Sequence, residues 1–238
     1  MSPSSVLARV EALPWPDIET SLATFGCATT GPLFTADECG ALAALYDRET
    51  GFRSRVVMQR HGFGQGEYKY FDYPLPALLA PWRDALYARL APLSNAWARA
   101  LGLPADYPPR HADYLARCHA AGQVRPTPLL LRYEAGDYNC LHQDLYGELQ
   151  FPMQLTVLLS RPEEDFRGGE FVLTEQRPRM QSRAEVVPLR QGEAVIFAVN
   201  QRPVNGSRGP YRVTMRHGVS RVRSGRRMTL GLIFHDAA

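Results

Sequence analysis

Pro128-Leu129-Leu130-Leu131-Arg132-Tyr133-Glu134, followed by Ala135-Gly136-Asp137-Tyr138 and then by His142-Gln143-Asp144, decides how this chain is read. A short apolar run meets a glycine, and the next segment ends on two chemistry-bearing side chains. The same rhythm continues to the C-terminus through Pro152–Leu159, Gly169–Leu173, Glu185–Leu189, Ala194–Val199, Tyr211–Arg216 and Arg227–Phe234. Gly168-Gly169 and Gln191-Gly192 mark turns between these runs. Short strands at regular spacing predict a closed or double-sheet β body from about Thr127 onward.

Toward the N-terminus the pattern changes to helix. Thr35-Ala36-Asp37-Glu38 has an N-cap residue and an acid three positions later, a capping box opening a helix to about Asp47. Leu42, Leu45 and Tyr46 recur at helical spacing. A longer helical tract runs from Pro76 to Leu101, with Pro92 expected to kink or divide it. A third helix covers about Arg110 to Ala120. Between the first two lies Phe52–Pro74, rich in glycine and then in aromatic rings. It reads as a mobile loop or short hairpin presenting Tyr68, Tyr70, Phe71 and Tyr73. The expected class is α+β, with N-terminal helices packed on one sheet. Residues 1–126 form a helical region and residues 127–238 a β body, read as parts of one continuous domain.

The 45% hydrophobic and 21% charged shares are globular values, and the formal net charge of +3 neither demands nor excludes a polyanionic partner. Of 27 cationic residues, only Lys69 is a lysine. Codon usage would explain this, but guanidinium also reads phosphates and carboxylates bidentately. Cys27, Cys39, Cys118 and Cys140 show no metal-finger spacing, and Cys140 reads as a small core residue. No signal peptide or membrane-spanning run is evident, so a cytoplasmic location is expected.

His142 and Asp144 stand two apart near a strand end, and positions i and i+2 of a strand share a face. His217 follows 75 residues after His142. Two histidines and a carboxylate suit Fe(II), Mn(II) or Zn(II), and three ligands that leave positions open favour Fe(II). The remaining positions would accept a chelating 2-oxo acid and O2. Arg227 comes ten residues after His217, and Thr229 two residues later. That is where an anchor for the far end of a dicarboxylate is expected. Other metal patterns are missing: there is no H-x-H pair, no H-E-x-x-H, and no H-x-E with a later P-C-x-x-C.

In order and spacing, the first segment, Gly168-Gly169-Glu170-Phe171, Gly192-Glu193-Ala194-Val195-Ile196-Phe197 and His217 through Arg227 together resemble the 2-oxoglutarate/Fe(II) dioxygenase superfamily. The likeness is greatest to the branch typified by prolyl 4-hydroxylase and spans about Pro128 to His235. It implies a double-stranded β-helix, or jelly roll. It makes His142, Asp144 and His217 the Fe(II) ligands and Arg227, with Thr229, the partner of the 2-oxoglutarate C5 carboxylate. Tyr133 could reach the cosubstrate or simply pack. Arg226 would point away, and His235 lies outside the motif. The implied reaction couples decarboxylation of 2-oxoglutarate to hydroxylation of a C–H bond; on an N-methyl carbon the product sheds formaldehyde.

The chain also looks like a bacterial group of oxygenases proposed to act on alkylated DNA, and distantly like AlkB-type dealkylases. Alkylated DNA or RNA is therefore one expected partner. The four rings of 68–73 would hold a base, and residues 161–227 carry 14 Arg against 7 acidic residues. The same rings would equally cover a core, and the same arginines would equally sit solvated. The AlkB-type ending is altered here to Arg221-Val222-Arg223-Ser224-Gly225-Arg226-Arg227, which puts base recognition in doubt. The alternative is hydroxylation of an amino acid, small metabolite or protein side chain.

Overall fold

The computed structural model describes residues 3–238. Among them run five α-helices: α1 (Pro3–Glu11), α2 (Trp15–Phe25), α3 (Ala36–Ala44), α4 (Ala80–Ala100) and α5 (His111–Ala120). The strands of the N-terminal part are β1 (Cys27–Pro32), β2 (Phe52–Val57), β3 (Gly64–Gln65) and β4 (Glu67–Phe71). Then come β5 (Leu129–Tyr133), β6 (Tyr138–His142), β7 (Met153–Leu158), β8 (Phe166–Gly168), β9 (Phe171–Gln176) and β10 (Arg183–Val187). The last are β11 (Glu193–Ala198), β12 (Gln201–Gly206), β13 (Gly209–Val219), β14 (Val222–Gly225) and β15 (Arg227–Leu232).

Two antiparallel sheets carry the body. One has seven strands in the order β1-β11-β7-β15-β5-β4-β2. The other runs β10-β9-β13-β6-β3, with β12 added on β13; β14 and β8 form a separate pair. The sheets meet face to face: the Phe171 ring lies 4.9 Å from Phe197, and Phe197 lies 4.6 Å from His217. Helices α2 and α3 pack against β1, β11 and β15 of the seven-stranded sheet. Its central strands are thus covered on both sides, which is why β15 is buried at every position. Arg227, Thr229 and Gly231 point into the space between the sheets, while Met228, Leu230 and Leu232 join the hydrophobic core.

The capping box at Thr35 and Glu38 is present, with Thr35 Oγ1 accepting the Glu38 N–H at 3.2 Å. Two expectations, division at Pro92 and core packing of Cys140, need correction. Helix α4 continues through Pro92 undivided. Of the two readings of segment 52–74, the hairpin holds: β2 and β4 pair with each other, and β4 pairs with β5, so it extends the seven-stranded sheet. Cys140 is exposed rather than packed in the core. Strands from before and after residue 127 share one sheet, and one core cluster runs from Val6 to Phe234. No described helix is long and apolar enough to cross a membrane.

Candidate metal centre

Strand register places the two histidines together. His142 of β6 stands directly opposite His217 of β13, with ring centroids 4.2 Å apart. The next matched pair is Asn139 with Val219, so β6 spends three residues where β13 spends two. That is a β-bulge at Cys140-Leu141. In a regular strand, residues three apart point to opposite faces. The bulge re-aims them, and both Asn139 and His142 line one cavity. Gly218 sits opposite the bulge, where a Cβ would stand 2.7 Å from the Asn139 carbonyl oxygen.

Asp144 lies just past β6. Its Oδ1 is 3.4 Å from His142 Nε2 and its Oδ2 is 3.3 Å from His217 Nε2. The three candidate ligand atoms all fall within 4.8 Å of one another. Donors about 2.1 Å from one ion stand about 3 Å apart when at right angles, so this donor set fits a single metal with little adjustment. His142 Nδ1 lies 2.8 Å from the Cys140 carbonyl oxygen. Donating there leaves Nε2 free to ligate. Tyr146 Oη and Gln154 Nε2 donate to Asp144 at 2.6 Å and 2.7 Å, fixing the carboxylate. Burial alone would raise the Asp144 pKa, but hydrogen bonds and charge from His142 and His217 hold it well below the ordinary value. Burial, then the charge of His142, lowers the pKa of His217.

The cavity, of about 200 Å³, continues past the triad to Arg227, Thr229 and Tyr133. Arg227 is 1% exposed, and its Nε and Nη1 have no hydrogen-bond partner. Its guanidinium lies 5.6 Å from the Tyr133 ring and 5.9 Å from the Phe166 ring. Burial pushes its pKa down to about 10, which still leaves it cationic at neutral pH. A buried cation with orphaned donors is costly until an anion meets it. The Tyr133 hydroxyl is likewise buried and unpaired. These groups fit a carboxylate of a ligand reaching in from the metal.

Of the four rings at 68–73, only Tyr68 lines this cavity. Tyr70 is 6% exposed and packs edge-on against Tyr68 and Tyr146, with the Arg53 guanidinium 4.3 Å from its ring. Phe71 is buried against Phe52. Tyr73 donates to Asp236 at 2.8 Å, at the C-terminal tail. Arg226 is exposed and bonds Glu134, as an outward-pointing neighbour should. His235 is buried, accepts the Phe151 N–H at 3.2 Å, and has its pKa pushed down to about 4 by burial.

Sequence reasoning missed Gln154, Tyr146, Asn139 and Phe63, all of which line the cavity. Gln154 and Thr156 did leave a signal. They are the polar residues, two apart, in an otherwise apolar run, and both face the cavity. Tyr146 and Phe63 left none, because their proximity comes from loop paths.

A family model described as "Oxygenase, catalysing oxidative methylation of damaged DNA" matches residues 66–237. Two uncharacterised proteins, from two strains of Mycobacterium tuberculosis, are 51% identical over 168 residues, covering 71% of this chain and 72% of theirs. Among solved structures, a 2-oxoglutarate/Fe(II) oxygenase-family oxidoreductase from Burkholderia pseudomallei matches at TM-score 0.54 and 16% identity, covering 94% of this chain and 93% of that one. A Trichoplax adhaerens prolyl hydroxylase, solved with a hypoxia inducible factor peptide fragment, gives 0.54 and 11% over 97% and 92% of the two chains. A Pseudomonas putida prolyl 4-hydroxylase gives 0.50 and 15% over 91% and 96%. The structural likenesses speak for the fold. The match from residue 66 to residue 237, together with the mycobacterial identity, decides the family: the chain belongs to this oxygenase family.

Proposed function

We propose that this oxygenase removes alkyl groups from damaged nucleic acid by hydroxylating the carbon attached to a base nitrogen. The observation that carries the substrate class is the family match, whose description names damaged DNA and whose span includes Tyr133, His142, Asp144, His217, Arg227 and Thr229. In this reading His142, Asp144 and His217 hold Fe(II). Arg227 and Thr229 hold the far carboxylate of 2-oxoglutarate, with Tyr133 alongside. The order β5-β15-β7-β11 facing β6-β13-β9-β10 supports a jelly-roll reading of the body. The bound metal, cosubstrate and O2 supply the C–H oxidation itself. The chain contributes position and shelter. Tyr146 and Gln154 fix the Asp144 carboxylate, the Cys140 carbonyl fixes the His142 tautomer, and Phe171 and Phe197 wall His217.

The test is anaerobic loading with Fe(II) and 2-oxoglutarate, followed by O2 and an N-methylated single-stranded oligonucleotide. Succinate and formaldehyde should appear in equal amounts, and Asp144→Ala should give neither. Coupled succinate release with free amino acids or a prolyl peptide, but none with any methylated oligonucleotide, would move the protein to the amino-acid or protein hydroxylase alternative.

A further inference from the structure

Phe63 and Leu145 line the cavity and yet are 47% and 43% exposed, so they stand at its mouth. Beside them, β6 exposes Tyr138 and Leu141 while turning Asn139 and His142 inward. Phe63 is held firmly for so exposed a ring. Its carbonyl accepts the Cys140 N–H at 2.9 Å, and its N–H donates to the Met58 carbonyl at 3.2 Å. Gly64, next to it, has φ of +129°, and a Cβ there would stand 2.4 Å from the Tyr138 carbonyl oxygen. One face of the ring stacks on His61 at 5.3 Å.

The same sheet carries a basic strip on its outward face. Residues 202–227 contain eight arginines and no acidic residue. Arg202 is buried against Glu175, and Arg227 belongs to the cavity. Arg212 and Arg216 are exposed on the outward pleat of β13, the opposite side from Val213, Met215 and His217. Neither makes an ion pair among the described residues. Register puts Pro203 beside Arg212 and Thr174 beside Arg216, and no position that it assigns to this outward face is acidic. β13 pairs with β6, and β6 pairs with β3, which directly follows Phe63. The arginines and the ring therefore belong to one sheet, with β6 and its exposed Tyr138 and Leu141 between them.

We infer that the cavity mouth and this sheet face form a track for a single nucleic-acid strand, on which Phe63 stacks an unpaired base and Arg216 and Arg212 take backbone phosphates. An aromatic platform beside a cationic strip is the general chemistry of single-strand binding. Charge complementarity selects the polyanion, and a fixed planar ring at the opening into the metal cavity selects a flat base. This inference rests on the nucleic-acid reading proposed above, and adds where the strand lies.

The experiment measures fluorescence anisotropy of a labelled single-stranded oligonucleotide with one N-methylated base, across a salt series, together with demethylation of the same oligonucleotide. Phe63→Ala should weaken binding about 5- to 150-fold, the range for loss of one base stack, and Phe63→Trp should retain it. Arg212→Gln with Arg216→Gln should reduce the slope of log affinity against log salt by about 1.4, or about 0.7 per phosphate. That double variant should keep the wild-type rate of succinate formation without substrate. If both sets of variants bind and demethylate like the wild type, the track is wrong while the demethylase reading stands. If the wild type neither binds nor demethylates the oligonucleotide, both fall.

Discussion

Arg227 concentrates the chemistry of the cavity in one side chain. Its guanidinium is buried, cationic and short of partners, which makes little sense for stability and good sense for anion capture. A hydrogen bond to a charged group contributes about 1.5–3 kcal/mol, so losing one or two of them is a large effect. Arg227→Gln should raise the apparent KM for 2-oxoglutarate by about 10- to 150-fold for each such bond lost. The thermal shift that 2-oxoglutarate gives the wild-type protein should vanish, while metal binding at His142, Asp144 and His217 persists. An unchanged KM would mean that the cosubstrate is anchored elsewhere. The neighbouring Arg226 illustrates how local the distinction is: one position along the same chain, it is exposed and bonded to Glu134.

At the scale of elements, the bulge in β6 matters most. It lets a segment that begins with Asn139 deliver His142 to the face where β13 delivers His217. Gly218 permits this by having no Cβ to strike Asn139, whose carbonyl oxygen would be 2.7 Å away. Because the obstruction is backbone, it cannot simply rotate aside. Gly218→Ala should cost about 1–3 kcal/mol of stability, the usual range for overpacking. It should also lower Fe(II) affinity by displacing one histidine from the other. Urea denaturation and metal titration read these separately, and a variant with wild-type values for both would show that the bulge is tolerant. This device was not legible in the sequence. His142, Asp144 and His217 could be picked out by residue type and spacing, but the extra residue that aligns them appears only when two strands are paired. The hairpin of β2 and β4 was only half legible for a similar reason: its glycines fit loop or hairpin, and its strand character depends on β5, which lies far along the chain.

The whole molecule is tied together at its C-terminal end. Asp236 is 0% exposed and accepts from Arg83 of α4 at 2.8 Å and from Tyr73 at 2.8 Å; His119 of α5 stands 2.8 Å from the same carboxylate. Arg83 also donates to the Ile233 and His235 carbonyls, so helices and tail close over the seven-stranded sheet as one unit. Asp236→Ala leaves the Arg83 charge buried without its carboxylate and should destabilise the fold by about 3–5 kcal/mol. Urea denaturation would register this, and a loss under about 1 kcal/mol, the size of an exposed pair, would show that the carbonyls alone suffice for Arg83. At this scale the sequence was a fair guide to layers. Helices came first, strands after, and the helices cover one sheet. It was a poor guide to the boundary at residue 127, because β1, β2 and β4 come from the helical half and complete the sheet.

The sequence by itself picked out the candidate metal ligands and the candidate anion anchor. Residue type and short spacing limit what His142, Asp144, His217, Arg227 and Thr229 can do together. Short apolar runs bounded by turn residues likewise marked β5, β7 and β15 as strands. Only the tertiary structure decided which aromatic rings face the cavity. Tyr70 and Phe71 lie in the same short run as Tyr68, yet their neighbours bury them, whereas Phe63, which no pattern marked, stands at the mouth. Exposure is set by what packs against a side chain from distant parts of the chain, and local sequence carries no record of those contacts.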